Sequence, residues 1–389
     1  MDVTQQGIVT LLKSAVTGKS YPLPEDFSLE ALYPLIRKHH MHMLVYQGAV
    51  TCGISRKTET MQKLFRDYCR GMLQSEGQMA AVTALCRAFE EAGIDYMPLK
   101  GCRMKPLYPK PELRIMSDAD ILIRMEQYDR IRAIVQSLGY THKVESDHEY
   151  VWQSDRLFLE LHKRLIPSYN EDYYAYFGDG WRLAKKQNGF CYSMTAEDEL
   201  IYLFTHFAKH FRDGGIGCRY VVDLWVYLRT CPELDENYLR EELERLQLWE
   251  FYGNIRRLIA CWFEDGAADG MLDIITDFVF SSGSWGNRES HVLSQLVRQS
   301  KRSKVSFSGK LMYLGSSLFP SAKQLKNKYP VVEKAPWMLP LVWVYRPFYK
   351  LLKERKDITR KQKDLQAVTT EAVDAKQQML RFVGLDFHF

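Results

Sequence analysis

Apolar positions recur at two spacings along this chain, and the switch between them marks its organisation. Over residues 1–75 the pattern is helical, with "LEALYPLIRKHHMHMLVYQGAV" placing Leu32, Leu35, Ile36, Met43 and Leu44 between turn-like segments. Met79, Val82, Leu85, Cys86 and Phe89 continue at helical spacing until Gly93 supplies a stop. "IDYMPLK" and "ADILI" then read as strands, separated by a loop that carries three prolines. A second helix is predicted over about 126–138, with Ile131, Ile134, Val135 and Leu138 on one face and Gly139 after it. "EYVWQ" and "RLFLELH" follow as a pair of strands joined by the polar turn "SD".

From residue 170 onward the signals are helical, in "AEDELIYLFTHFAKHF", "YVVDLWVYLRT", "NYLREELERLQLWEFYGNIRRLIACWFED" and a segment near 271–280. No internal repeat of roughly 20–50 residues interrupts this plan. The expected division is a helical region at 1–75, a mixed core at 76–168, a helical domain closing a cleft at 169–300 and a helical C-terminal region at 301–389. In the last region "YPVVEKAPWMLPLVWVYRPFYKLL" reads as packing between helices in preference to a surface patch, and "KERKDITRKQKDLQ" as a solvated helix.

Alternation along the strands brings the first chemistry. In "MSDADILI" the side chains of Asp118, Asp120 and Leu122 point one way, and those of Ala119, Ile121 and Ile123 the other. Two carboxylates side by side repel unless a cation lies between them. Magnesium suits such a pair because it takes hard oxygen ligands and keeps waters or phosphate oxygens. A polar strand edge is the other reading of the same residues. In "RLFLELH" the leucines 157, 159 and 161 face one side and Phe158, Glu160 and His162 the other. Glu160 among leucines calls for a metal or a basic partner, since an unpaired buried charge is costly. Three carboxylates on neighbouring strands are suited to two divalent ions that clamp the attacking and leaving oxygens of a phosphoryl or nucleotidyl displacement.

Gly101 lies directly after a predicted strand, in "PLKGCRM", where the absence of a side chain lets backbone N–H groups approach a phosphate. Lys100 and Arg103 are candidates to neutralise a triphosphate, and Arg114 and Ser117 flank the carboxylates. His206 and His210 are one helical turn apart, but Phe207 follows the first, so the HExxH pattern is not met. Arg219 and Asp223 are spaced for an ion pair on one helix. "DGGIG" at 213–217 lacks the strand-to-helix context of a dinucleotide fingerprint and reads as a loop. "HHMH" at 39–42 reads as a solvated or core-edge helix in preference to a metal tract.

The strand, glycine turn, helix, DxD strand and later acidic strand together resemble the DNA polymerase beta superfamily of nucleotidyltransferases. More narrowly, "LKGCRMKPLYPKPELRIMSDADILI", the helix ending in "LGY", and "LFLELHKRL" resemble the bacterial family of uncharacterised nucleotidyltransferases, family 5. The resemblance implies an α+β fold, with a polymerase beta-like core of mixed sheet and helices embedded in helical N- and C-terminal domains. It implies Asp118, Asp120 and Glu160 as catalytic, metal-binding carboxylates with two Mg²⁺ ions, and Gly101 against the phosphates of an NTP such as ATP. Lys100, Arg103, Arg114 and Ser117 are the remaining nucleotide-binding candidates, and His162, His206, His210, Arg219 and Asp223 are candidate substrate contacts. The implied reaction is transfer of a nucleoside monophosphate to the hydroxyl of a small-molecule, RNA or protein acceptor, with release of pyrophosphate. One departure is Cys102 after Gly101, where many superfamily members carry serine. That departure motivates the alternatives of a degenerate nucleotide- or partner-binding module and of a toxin–antitoxin-type transferase.

Bulk composition fits this picture without sharpening it. A 389-residue chain with 46% hydrophobic and 26% charged residues is globular and long enough for two or three structural units. Its net charge of +5 is weak evidence for a polyanionic partner. Eight cysteines without a CxxC pair read as reduced thiols of a cytoplasmic protein, and the N-terminus lacks the pattern of a signal peptide. The longest apolar run, at 335–345, is too short to span a bilayer.

Overall fold

The computed structural model describes residues 1–284, 286, 325, 331, 335–345 and 370–385. Two compact units result, one formed by Met1–Lys209 with Ile216–Ser284 and the other by His210–Gly215 with Trp285–Phe389. The first unit opens with helices α1 (Val3–Thr17), α2 (Leu29–Lys38), α3 (His42–Thr51) and α4 (Glu59–Ala92). Helix α1 starts on a capping box between Asp2 and Gln5, which satisfies two backbone donors that the helix itself leaves open. Helix α4 is capped by Thr58 and stopped by Gly93 at φ +65°, a left-handed turn that glycine adopts without strain. It runs unbroken through residue 76, where the sequence pattern suggested the core to begin.

The core holds a five-stranded mixed sheet in the order β1-β2-β5-β4-β3, built from β1 (Tyr96–Pro98), β2 (Asp118–Ile123), β3 (Thr141–Glu145), β4 (Glu149–Gln153) and β5 (Phe158–His162). Strands β2 and β5 are parallel and every other pair is antiparallel. Helix α5 (Lys100–Met104) follows β1, and α6 (Tyr128–Ser137) follows β2 after a short 3-10 turn at Met125–Gln127. Strand β3 has no counterpart in the sequence reading, because all five of its residues are exposed and leave no apolar alternation to read.

One face of the sheet is the core. Ala119, Ile121 and Ile123 of β2, Leu159 and Leu161 of β5, and Tyr150 and Trp152 of β4 pack with Leu85 and Phe89 of α4 and Ile131 and Val135 of α6. The expected strand alternation is thus met, and it leaves Asp118, Asp120, Glu160, His162 and Glu149 on the opposite face. Buried hydrogen bonds brace the β1–β2 connection from behind: Gln78 of α4 donates to the Met116 carbonyl at 2.9 Å, and Lys105 donates to Ser75 Oγ and the Arg114 carbonyl at 2.8 and 2.9 Å.

Helices α7 (Glu171–Phe177), α8 (Ala196–Asp213), α9 (Cys218–Thr230), α10 (Glu236–Arg245), α11 (Trp249–Phe263) and α12 (Gly270–Ser282) follow. Among the described residues after 170, helices are joined by a two-stranded ribbon pairing Lys185–Lys186 with Tyr192–Ser193, too short to show as periodicity. Together the elements form a mixed α/β structure with a five-stranded mixed sheet and helical flanks. Among the described residues no helix is long and apolar enough to cross a membrane.

"HHMH" is an element of packing. His39 is fully buried, with Nε2 3.0 Å from the Phe280 carbonyl and Nδ1 accepting from the Cys218 backbone N–H at 3.3 Å. In the second unit, Val342 is buried with Leu339 and Trp343 against it, whereas Trp337, Leu341, Val344 and Tyr345 are exposed. The charged tract at 353–366 lies outside the described residues.

Candidate active site

The parallel register sets Asp118 opposite Phe158, Asp120 opposite Glu160 and Leu122 opposite His162. Strand β4 adds Glu149 opposite His162 and Val151 opposite Glu160. Side chains on this second face therefore stand in rows, and acidic and imidazole groups fill the centre.

Asp120 is the hub. Its side chain is 4% exposed, with Oδ1 2.7 Å from Lys100 Nζ and 2.9 Å from His162 Nε2. Burial would raise the Asp120 carboxyl, but Lys100 and His162 outweigh it and hold it below the usual carboxylate range. Burial likewise opposes charge on Lys100, yet Asp120 and more distant acids leave its ammonium pKa well above the ordinary value. Lys100 sits at φ +40°, a left-handed backbone that side chains other than glycine seldom adopt. Strain of this kind, typically about 1–3 kcal/mol, persists where surrounding contacts over-determine it.

Asp118 accepts from Ser117 Oγ at 2.9 Å, and burial followed by the charge of Asp120 raises its carboxyl. Glu160 lies 3.5 Å from His162 Nε2, and its carboxyl is also raised, first by burial. Glu149 contacts His148 Nε2 at 3.0 Å and lies 3.9 Å from His162 Nε2. Burial opposes its charge, but the hydrogen bond from His148 prevails and draws it down to about 2. For His162, burial and Lys100 favour the neutral ring, while Asp120 and Glu160 prevail and raise its pKa above the ordinary value.

The glycine at 101 has a steric reason. A Cβ there would lie 2.7 Å from Arg114 Nη1 and 3.0 Å from Met116 Cγ, so backbone and guanidinium pass closely only without it. Arg114 in turn makes two hydrogen bonds to Asp223, at 3.3 and 3.1 Å, and Tyr108 donates to the same carboxylate at 2.6 Å. Asp223 on α9 thus has an ion-pair partner in Arg114 from the β1–β2 connection, and Arg219 of the same helix donates to the Ile115 carbonyl at 3.4 Å. Arg103 is held by Glu199 of α8 through bonds of 3.0 and 3.1 Å. It borders a cavity of about 220 Å³ that is also lined by Cys102, Leu107, Met194, Tyr227 and Cys231. Burial pushes the Cys102 thiol up to about 12, which favours its protonated form.

The structure therefore brings Lys100, Asp118, Ser117, Asp120, Glu160 and His162 to one face, while Arg103 and Arg114 are engaged by Glu199 and Asp223. His206 and His210 both lie on α8, and among the described residues they stand outside the two groups of potential metal ligands, His148–Glu149–His162 and Asp120–Glu160–His162. His148 and Glu149 are absent from the sequence-based set. The signal was present: a hairpin of "EYVWQ" and "RLFLELH" about a short turn puts Glu149 across from His162.

A cluster of carboxylates around the buried Asp120, with a lysine at its edge, suits enzymes that act on phosphates by positioning and charge. The comparisons narrow the class: residues 25–264 match the family of uncharacterised nucleotidyltransferases, more than half of the 389-residue chain, and the protein belongs to that family. Neither the curated proteins nor the solved structures contain a match.

Proposed function

We propose that this protein is a Mg²⁺-dependent nucleotidyltransferase that moves a nucleoside monophosphate from an NTP to an acceptor hydroxyl, releasing pyrophosphate. The observation that carries the reading is the β2–β5 register, which sets Asp120 against Glu160 with Asp118 on the same face. The donor set fits the ion: Asp120 and Glu160 offer hard oxygens within 4.8 Å of one another and of a shared partner, His162. Asp118, Asp120 and Glu160 would hold Mg²⁺, which when bound neutralises charge on the phosphates. Among the described residues Lys100 is the ammonium whose Nζ lies on a catalytic acid of this face, and on release it supplies charge to the triphosphate. Glu160, whose carboxyl is raised by burial, takes the proton of the acceptor hydroxyl. Ser117 orients Asp118 through its hydroxyl.

A second reading is a nucleotide- or partner-binding module without turnover. It is favoured by Arg103 and Arg114, both committed to carboxylates of the helical segment, and by Cys102 in place of serine. Calorimetry of ATP, GTP, CTP and UTP with Mg²⁺, on the wild type and on Asp118→Asn/Asp120→Asn, separates the two once combined with a pyrophosphate-release assay. Metal-dependent binding and turnover that both vanish in the double variant support the transferase. Binding without pyrophosphate across a broad acceptor panel supports the module, and turnover unchanged in the double variant overturns the assignment of the site.

A further inference from the structure

His148 and Glu149 lie where β4 begins, directly across from the end of β5. One ligand atom from each of His148, Glu149 and His162 lies within 4.8 Å of the other two. Three carboxylates also converge on the single Nε2 of His162: Asp120 at 2.9 Å, Glu160 at 3.5 Å and Glu149 at 3.9 Å. One N–H serves one acceptor, and Lys100 is already engaged with Asp120. Glu149 has His148 Nε2 at 3.0 Å, and a divalent cation held between the two rings and this carboxylate would add positive charge where the three acids meet.

The donors specify which cation. Two imidazoles and one carboxylate form a borderline nitrogen–oxygen set that suits Zn²⁺, Mn²⁺ or Co²⁺, whereas Mg²⁺ prefers oxygen throughout. Three protein ligands are the number found at metal centres that keep a position open. His148 has the support a ligating ring commonly has, because its Nδ1 lies 3.2 Å from Ser146 Oγ and its Nε2 is thereby directed at Glu149. The side chains of His148 and Glu149 are 19% and 16% exposed, so solvent reaches them, while that of His162 is 1% exposed and fixed.

We infer that His148, Glu149 and His162 form a transition-metal site selective against Mg²⁺, which adjoins the Asp118–Asp120–Glu160 face through the shared His162. The inference stands on these three side chains and does not require nucleotidyl transfer.

The test uses the untagged full-length protein, stripped of metal and titrated with Co²⁺ in the presence of millimolar Mg²⁺, reading heat and visible absorption. The expected result is one Co²⁺ per chain that Mg²⁺ does not displace, with an absorption band shaped by nitrogen ligands. His148→Ala and Glu149→Gln should each weaken it by about ten- to a hundredfold, a range typical of lost metal-site contacts, while Asp118→Asn retains it. Circular dichroism checks folding, and if one variant does not fold the other decides. Unchanged affinity in the folded variants, displacement by Mg²⁺, or loss of the band in His206→Ala/His210→Ala instead would overturn the site. A chain that keeps the cobalt band but binds no NTP rejects the transferase reading alone, and one that binds NTP without the band rejects this site alone.

Discussion

The ammonium of Lys100 rests 2.7 Å from the carboxylate of Asp120, delivered there by a residue in the left-handed region at φ +40°. Both side chains are largely out of water, so each is the other's main counter-charge. Lys100→Met leaves Asp120 with His162 alone. Removing one member of a buried pair typically costs about 3–5 kcal/mol, and thermal unfolding of the variant should show a loss of that order. Added Mg²⁺ should recover more stability in Lys100→Met than in the wild type, because the ion takes over the neutralising role. Equal recovery in both proteins would show that the ammonium and the ion do not share a place.

Asp223 collects Arg114 and Tyr108, and through them ties helix α9 to the β1–β2 connection. Asp223→Ala leaves a guanidinium that is 11% exposed without its partner. A destabilisation of about 3–5 kcal/mol is expected in urea unfolding. A loss under 1 kcal/mol would mean that Arg114 finds water or another acid instead.

Gly101→Ala sets a methyl group against Arg114 and Met116. Overpacking of this type costs about 1–3 kcal/mol. Since the clash falls on a guanidinium held by Asp223, the penalty should shrink in an Asp223→Asn background, where Arg114 is freer to yield. Additive penalties in a double-mutant cycle would count against the coupling.

His39 supplies the pH prediction. Its Nε2–H faces a carbonyl and its Nδ1 faces an N–H, so only the neutral ring satisfies both partners. Burial first of all lowers its pKa from 6.5 to about 4 in the folded chain, with Lys38 and His40 adding to the effect against the Phe280 carbonyl. Above pH 6.5 neither the folded nor the unfolded ring is charged and His39 imposes no penalty. As pH falls from 6.5 towards 4 the unfolded ring takes up a proton that the folded ring refuses, so stability drops, by about 3 kcal/mol from this residue. Urea unfolding from pH 7 to pH 4 should show a shallower decline in His39→Gln than in the wild type. Parallel declines would exclude His39 as a source.

The sheet was legible where its strands are half buried. In β2, β4 and β5 apolar and polar residues alternate because one face meets α4 and α6, and the same alternation sets Asp118, Asp120 and Glu160 together on the other face. Strand β3 was not legible, since neither of its faces is buried. The partners of Arg103 and Arg114 were hidden for another reason. Glu199 and Asp223 lie about a hundred residues away in sequence, and nothing local in "KGCR" or "ELRIMS" indicates which distant acid a guanidinium will meet. His148 was missed because it precedes its strand, outside the alternation that flags Glu149.

The parallel pairing of β2 with β5 joins residues 118–122 to 158–162, so about forty residues must be traversed before the two strands meet. The β4–β5 hairpin, by contrast, closes over a few residues, and nearby contacts form faster than distant ones because less chain freedom is lost. A newly made chain can thus bring Glu149 and His162 together early, while Asp120 and Glu160 become neighbours only when the finished hairpin docks on β2. Assembly of the acidic centre is therefore coupled to completion of the sheet, and a chain cut between α6 and β4 loses the centre whole.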